Sequence, residues 1–177
     1  MVRFIGRIAM VAVAAGAALL AIPALAQGVR VKLPAWSEPV LLDSIRTESE
    51  IAGAPEAVYA AVQKVLADLD LPKGNTDAKA GIIGSERFER MRVLAGAPMS
   101  RSFSCGESGT GPNADAFRLS IAIAIWVKPG KSGGTTIGVA AAASGSDISG
   151  VYRNPRACAS TGRVEQLIVD GIQKYVR

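Results

Sequence analysis

The sequence predicts an α+β domain in which a curved antiparallel sheet is packed on its concave side by a C-terminal helix, in the order β-α-β-β-β-α. Three observations predict it. Phe117, Leu119, Ile121, Ile123, Ile125 and Val127 alternate with Arg118, Ser120, Ala122, Ala124, Trp126 and Lys128, the period of a half-buried strand. Val58, Ala61, Val62, Val65, Leu66 and Leu69 fall on one helical stripe. Val164, Leu167, Ile168, Gly171, Ile172 and Tyr175 fall on a second at the end of the chain. Apolar stripes and an apolar sheet face must cover one another, and two layers achieve that.

Residues 1–26 stand apart from the fold. Arg3 and Arg7 form a positive start, Ile8 to Ala26 carries no charge, and Pro23 precedes the small-x-small ending Ala24-Leu25-Ala26. This is the pattern of a signal peptide cleaved before Gln27. An uncharged run of that length also approaches a bilayer span, so a retained anchor is the alternative reading. Cleavage lowers the net charge from +5 to +3, because these residues hold two arginines and no acid. The remaining chain, about 150 residues, suffices for one domain with a real core. Its mild positive charge is scattered, unlike a nucleic-acid stripe, and no second apolar run is long enough for a membrane span.

Within that chain, residues 27–43, with Pro34, Trp36 and Pro39, read as an extended lead-in rather than a core element, Trp36 capping an apolar edge. The domain proper spans 44–177. Ile45, Thr47, Ser49 and Ile51 alternate with Arg46, Glu48 and Glu50, which predicts the first strand. Pro55 and Glu56 open a helix, with proline near its first position and an acid in its first turn, and Leu71-Pro72 ends it. Residues 82–94 form a charged strand candidate whose phase breaks between Phe88 and the pair Met91, Val93, as a bulge or an edge position would cause. Residues 96–114 are irregular. The strand from Phe117 turns at Pro129–Gly134 and returns through Thr135 to Ala143. A Gly-, Ser- and Asn-rich connection leads to Cys158. Thr161 caps the last helix, Glu165 lies in its first turn, and Gly171 lets it approach the sheet closely.

The chain has two cysteines, Cys105 and Cys158, and no histidine. In an exported chain the pair reads as a structural disulfide, closing a loop of about 54 residues worth about 4 kcal/mol in the chain-entropy model. Free thiols or redox duty are the alternatives, though a redox pair usually has Cys-x-x-Cys spacing. Such a bond would gather Arg101, Asp115, Arg163 and Glu165 into a candidate polar patch. That patch would either fix the irregular loop or contact a partner.

Catalytic motifs are not found. Gly106–Gly111 is glycine-rich but lacks the Lys-Ser/Thr of a phosphate loop. Serine nucleophiles have no histidine base, and Ser132 beside Lys131 sits in a turn. Glu86 and Glu89 lie among arginines, where surface ion pairing is the natural account. Ser160-Thr161-Gly162 suits helix capping, with anion binding as its alternative. No metal site or cofactor is expected.

The passage Ile51-Ala52-Gly53-Ala54-Pro55-Glu56-Ala57-Val58-Tyr59-Ala60-Ala61 resembles the strand-to-helix opening of helix-grip proteins, the START-like and polyketide-cyclase-like group. More distantly it is similar to the domains of the outer-membrane assembly lipoprotein C. Cys105-Gly106, Thr110-Gly111-Pro112, Ala114-Asp115 and Cys158-Ala159-Ser160-Thr161-Gly162 resemble segments of a set of uncharacterised exported bacterial proteins. The first resemblance implies a helix-grip fold; the second implies no activity.

The expected function is a non-catalytic periplasmic or secreted envelope module that binds a protein or cell-surface component. The alternative is a carrier of a small apolar ligand between sheet and helix. An enzyme with an unfamiliar site is the third class, which a deep pocket with perturbed acids would favour.

Overall fold

The computed structural model describes residues 28–84, 87–131 and 133–177. The segment read as a signal peptide lies outside the described residues, as do Glu86 and Ser132. The described chain opens with a short hairpin, β1 (Arg30–Val31) against β2 (Val40–Leu41), followed by a 3-10 turn at Leu42–Ile45. Next come β3 (Thr47–Ile51), α1 (Pro55–Asp68), β4 (Asn75–Asp77), β5 (Ile82–Gly84) and β6 (Phe88–Met91). The irregular stretch folds into small pairs: β7 (Val93–Leu94) with β8 (Ala97–Pro98), then β9 (Phe103–Ser104), then β10 (Glu107–Ser108) with β11 (Gly111–Pro112). A single turn of helix, α2 (Asn113–Ala116), leads into β12 (Arg118–Pro129), β13 (Thr135–Ser146), β14 (Arg156–Ser160) and α3 (Arg163–Val176).

β12 and β13 form the spine of a curved, unclosed antiparallel sheet, paired without interruption from Arg118↔Ser146 to Pro129↔Thr135. The sheet runs β4-β5-β12-β13-β14-β9. β6 joins β5 on one edge of β12, and β3 joins β14 on one edge of β13. The phase break read in residues 82–94 has a plain origin. Gly84 pairs with Ala124 and Phe88 with Ile121, so the registers of β5 and β6 on β12 differ by one residue. That one-residue slip is a bulge. Arg92, at φ 65, then turns Val93 out of the sheet into the β7–β8 hairpin.

The inner face carries Leu119, Ile121, Ile123, Ile125 and Val127 beside Ile137, Val139, Ala141 and Ala143. Both helices cover it with most of the residues their periodicity marked, including Val58, Val62 and Val65 from α1 and Val164, Ile168 and Ile172 from α3, whereas Tyr175 of the second stripe is exposed and the unmarked Val169 is buried. α1 ends at Asp68, earlier than Pro72 suggested. Asp70 takes the left-handed conformation (φ 51), and the Leu71 N–H donates back to the Leu66 carbonyl, closing the helix end. Gly171 also serves a different contact from the one expected. A Cβ there would stand 2.8 Å from Val65 Cγ1, so its closeness is to α1 and not to the sheet.

The outer face overturns the reading of residues 27–43. Ala122, Ala124, Trp126, Ala140 and Ala142 form a second apolar cluster with Val31, Leu33 and Leu42, and Trp36 and Val40 pack against it. Leu33 and Leu42 are completely buried. The alanines leave shallow ground, and an extended chain can lie close upon it, with the Ala35 N–H donating to Ser144 Oγ at 3.1 Å. Each leucine contributes at most about 1.5–3 kcal/mol by this burial. The lead-in is therefore a third, partial layer. Ile45, expected on the inner face of the first strand, sits in the 3-10 turn and is 49% exposed. Among the described residues no helix is long and apolar enough to cross a membrane.

Candidate functional site

Cys105 and Cys158 form a disulfide. Cys158 lies inside β14, opposite Ala143, rather than in an irregular connection. β14 then pairs on its other side with β9, through Ala159↔Ser104 and Ser160↔Phe103, and Cys105 follows β9 directly. The bond therefore ties two neighbouring strands at the sheet margin. Phe117 packs over it, the Tyr152 ring meets Phe117 edge-on at 5.9 Å, and the Arg156 guanidinium lies 4.0 Å from the Tyr152 ring centre.

The four residues of the candidate polar patch are placed around this tie, but on different surfaces. Asp115 accepts the Ser100 N–H and its hydroxyl, both at 2.7 Å, and so fixes the 3-10 turn Met99–Arg101 to α2. The Arg101 carbonyl accepts the Thr161 hydroxyl at 2.6 Å, while the Ser102 carbonyl accepts the Thr161 N–H. Arg101 and Arg163 line one shallow surface groove with Thr161, Gln166 and Asp170. No ion pair among the described residues joins any of the four.

Glu165 is the buried member, only 8% exposed. Its Oε1 accepts the Ser160 hydroxyl at 2.6 Å, and Ser160 Oγ accepts the Gly162 N–H at 3.1 Å. Its Oε2 is buried without a hydrogen-bond partner. The cap of α3 is Gly162 (φ 82), not Thr161, whose hydroxyl accepts the Arg163 N–H at 3.4 Å. Glycine tolerates the left-handed entry that this turn demands. The carboxylate of Glu165 thus stands at the positive end of the helix, where a negative charge is favoured.

Glu165 also lines a groove created by the sheet itself. Along β13, pairing with β3 runs as far as Val139↔Thr47, and pairing with β14 starts at Ala143↔Cys158. Ala140, Ala141 and Ala142 stand opposite neither strand. The gap opens as a groove of about 420 Å³, bordered by Trp36, Val40 and Ile45 on one side and by Ala159, Ser160 and Glu165 on the other. Its base is Ala141 and Ala142. Small residues make it, aliphatic and aromatic side chains wall it, and Glu165, Ser160 and Thr47 supply polarity. Sequence reasoning singled out Glu165 but missed Trp36 and Ile45 as groove residues. The signal available was an aromatic in a segment rich in proline, which periodicity does not place.

Among the described residues no three acid or thiol side chains gather as a metal would require. The acids with perturbed neighbours are structural. Asp147 is held below the usual carboxylate range by the Tyr152 N–H, then by the Ser149 hydroxyl and N–H. Tyr175 donates to Asp68 Oδ2 at 2.5 Å, and that bond raises its phenol. Compared with protein-family models and with curated proteins, the chain matches none.

Proposed function

We propose that this chain is a non-catalytic module of the cell envelope, exported to the periplasm or beyond, that works by holding another protein. The observation that carries the reading is the groove between β3 and β14, walled by Trp36, Val40 and Ile45 on one side and by Ala159, Ser160 and Glu165 on the other. An unpaired stretch of strand edge beside an apolar wall is the kind of surface on which an extended peptide segment docks. A basic side chain on that segment would complement Glu165. The disulfide supports the same reading, because it holds the β14 side of the groove in place.

The alternative, an apolar carrier, needs space between sheet and helices. That space holds Ile125, Ile137, Val62, Ile168 and Ile172, side chains almost wholly withdrawn from water. The filled interface favours the holding module.

Photo-crosslinking in the native envelope tests the proposal. A photoreactive residue at Ile45 should capture a discrete protein, while one at exposed Lys64 on α1 should not. Ala159→Trp, an exposed change on the groove wall, should abolish the Ile45 product without altering the melting temperature. No product at Ile45, or one indifferent to Ala159→Trp, overturns the proposal.

A further inference from the structure

One end of the sheet carries a second surface, independent of the groove. The register sets Met91, Arg118 and Ser146 side by side at the margin. Arg92 and Val93 follow Met91, and the loop 147–155 follows Ser146. Val93, Ile148 and Val151 are 52%, 55% and 75% exposed, a concentration of large apolar side chains in water. Isolated exposed aliphatics need no explanation, but a cluster at one end of a domain does.

The loop is held rather than loose. The Asp147 carboxylate accepts the Ser149 N–H at 2.8 Å, the Ser149 hydroxyl at 2.7 Å and the Tyr152 N–H at 2.9 Å. Tyr152 in turn rests on Phe117. This frame leaves Ile148 and Val151 outward and occupies Asp147, the loop's own acid.

The cations of this end are arginines. Arg92, Arg118, Arg153 and Arg156 are all exposed. Arg118 meets Glu89 at 4.0 Å, with both side chains about half in water, and Arg156 stacks on Tyr152. Among the described residues Arg92 and Arg153 form no ion pair. Guanidinium groups bind phosphate oxygens in a forked geometry. Exposed apolar tips on the same end of the sheet as such groups match the layering of a bilayer interface, where acyl chains begin just beneath a sheet of phosphates.

We propose that this end of the sheet docks reversibly on an anionic phospholipid surface, with Ile148, Val151 and Val93 entering the headgroup boundary and Arg92, Arg118, Arg153 and Arg156 meeting lipid phosphates. The groove of Glu165 lies at the split between β3 and β14, away from that margin, so both surfaces can be engaged together.

Vesicle sedimentation with residues 27–177, which contain the whole described core and the disulfide, tests this without a contribution from the apolar leader. Vesicles of phosphatidylcholine with about one third phosphatidylglycerol should pellet the protein at low salt, and phosphatidylcholine alone should not. Raising the salt should release it, since charge attraction to the surface is screened. Ile148→Ser with Val151→Ser should weaken partitioning about tenfold or more. Arg92→Ala with Arg153→Ala should weaken it by about fivefold for each charge removed. All four positions are exposed, so an unchanged melting temperature shows that the fold persists. The proposal is overturned by equal binding to neutral and anionic vesicles, by binding indifferent to these changes, or by retention on a DNA fragment with none on vesicles.

Discussion

Gly145 lies beneath the ring of Phe117. A Cβ at position 145 would stand 2.8 Å from Phe117 Cδ2, 3.2 Å from the Cys158 sulfur and 3.4 Å from the Cys105 sulfur. The glycine is thus required by the disulfide and the aromatic stacked on it, not by backbone conformation. Gly145→Ala should destabilise the fold by about 1–3 kcal/mol through overpacking. Thermal unfolding checks it, and Phe117→Leu in the same chain should return part of the loss. An unchanged melting temperature for Gly145→Ala would show that the ring yields freely.

The contrast between β12 and the lead-in shows what was legible in the sequence. β12 was plain because Leu119 to Val127 repeat with period two, and any packing partner must meet that stripe. Leu33 and Leu42 carry no period, so nothing local says that they are wholly buried. Their burial depends on Ala122, Ala124, Ala140 and Ala142, of which the first two alternate with the apolar stripe of β12, and which together form the floor of a second cluster. The groove was less legible still, because it exists only where the registers of β3 and β14 on β13 leave three residues between them. Glu165 was visible as a first-turn acid, while its unpartnered oxygen depends on the path of Ser160 and Gly162. Local patterns identified the layers; register and close approach, which join distant residues, made the site.

The third layer makes a quantitative claim about residue 33. Were residues 28–43 a mere extension, Leu33→Ala would change stability by no more than about 0.5 kcal/mol, as surface substitutions do. With Leu33 wholly buried, the loss should be about 2–5 kcal/mol. Denaturant unfolding separates the two values. Tryptophan fluorescence should also shift to the red, since Trp126 belongs to the same cluster.

Gly171 sets the spacing of the two helices. Replacing it with alanine adds helix propensity, about 1 kcal/mol in an open helix. Here the new methyl meets both Val65 methyls, at 2.8 and 3.0 Å, and valine in a helix has little rotamer freedom to retreat. Gly171→Ala should therefore destabilise the protein despite its better propensity. Gly171→Ala combined with Val65→Ala should be more stable than the sum of the two single changes implies. A strictly additive pair would remove the contact from the account.

The loop that carries Ile148 and Val151 should respond to acid through Asp147. Its carboxyl is held below the usual value, first by the Tyr152 N–H and then by the Ser149 hydroxyl and N–H. A lowered folded-state value means that the bound loop is favoured above the unfolded value, about 3.9, and that this is lost as pH falls through the lower folded one. Because the group is exposed, the effect is local order rather than global stability. Amide exchange at Tyr152 and Ser149 should show protection at pH 6 that is lost once the pH falls below the ordinary carboxylate range, while amides of β12 and β13 keep theirs. Asp147→Ala should remove the Tyr152 protection already at pH 6, by releasing the frame that holds the loop. Protection at Tyr152 that survives both treatments would mean that Phe117 and Tyr152, rather than Asp147, hold the loop.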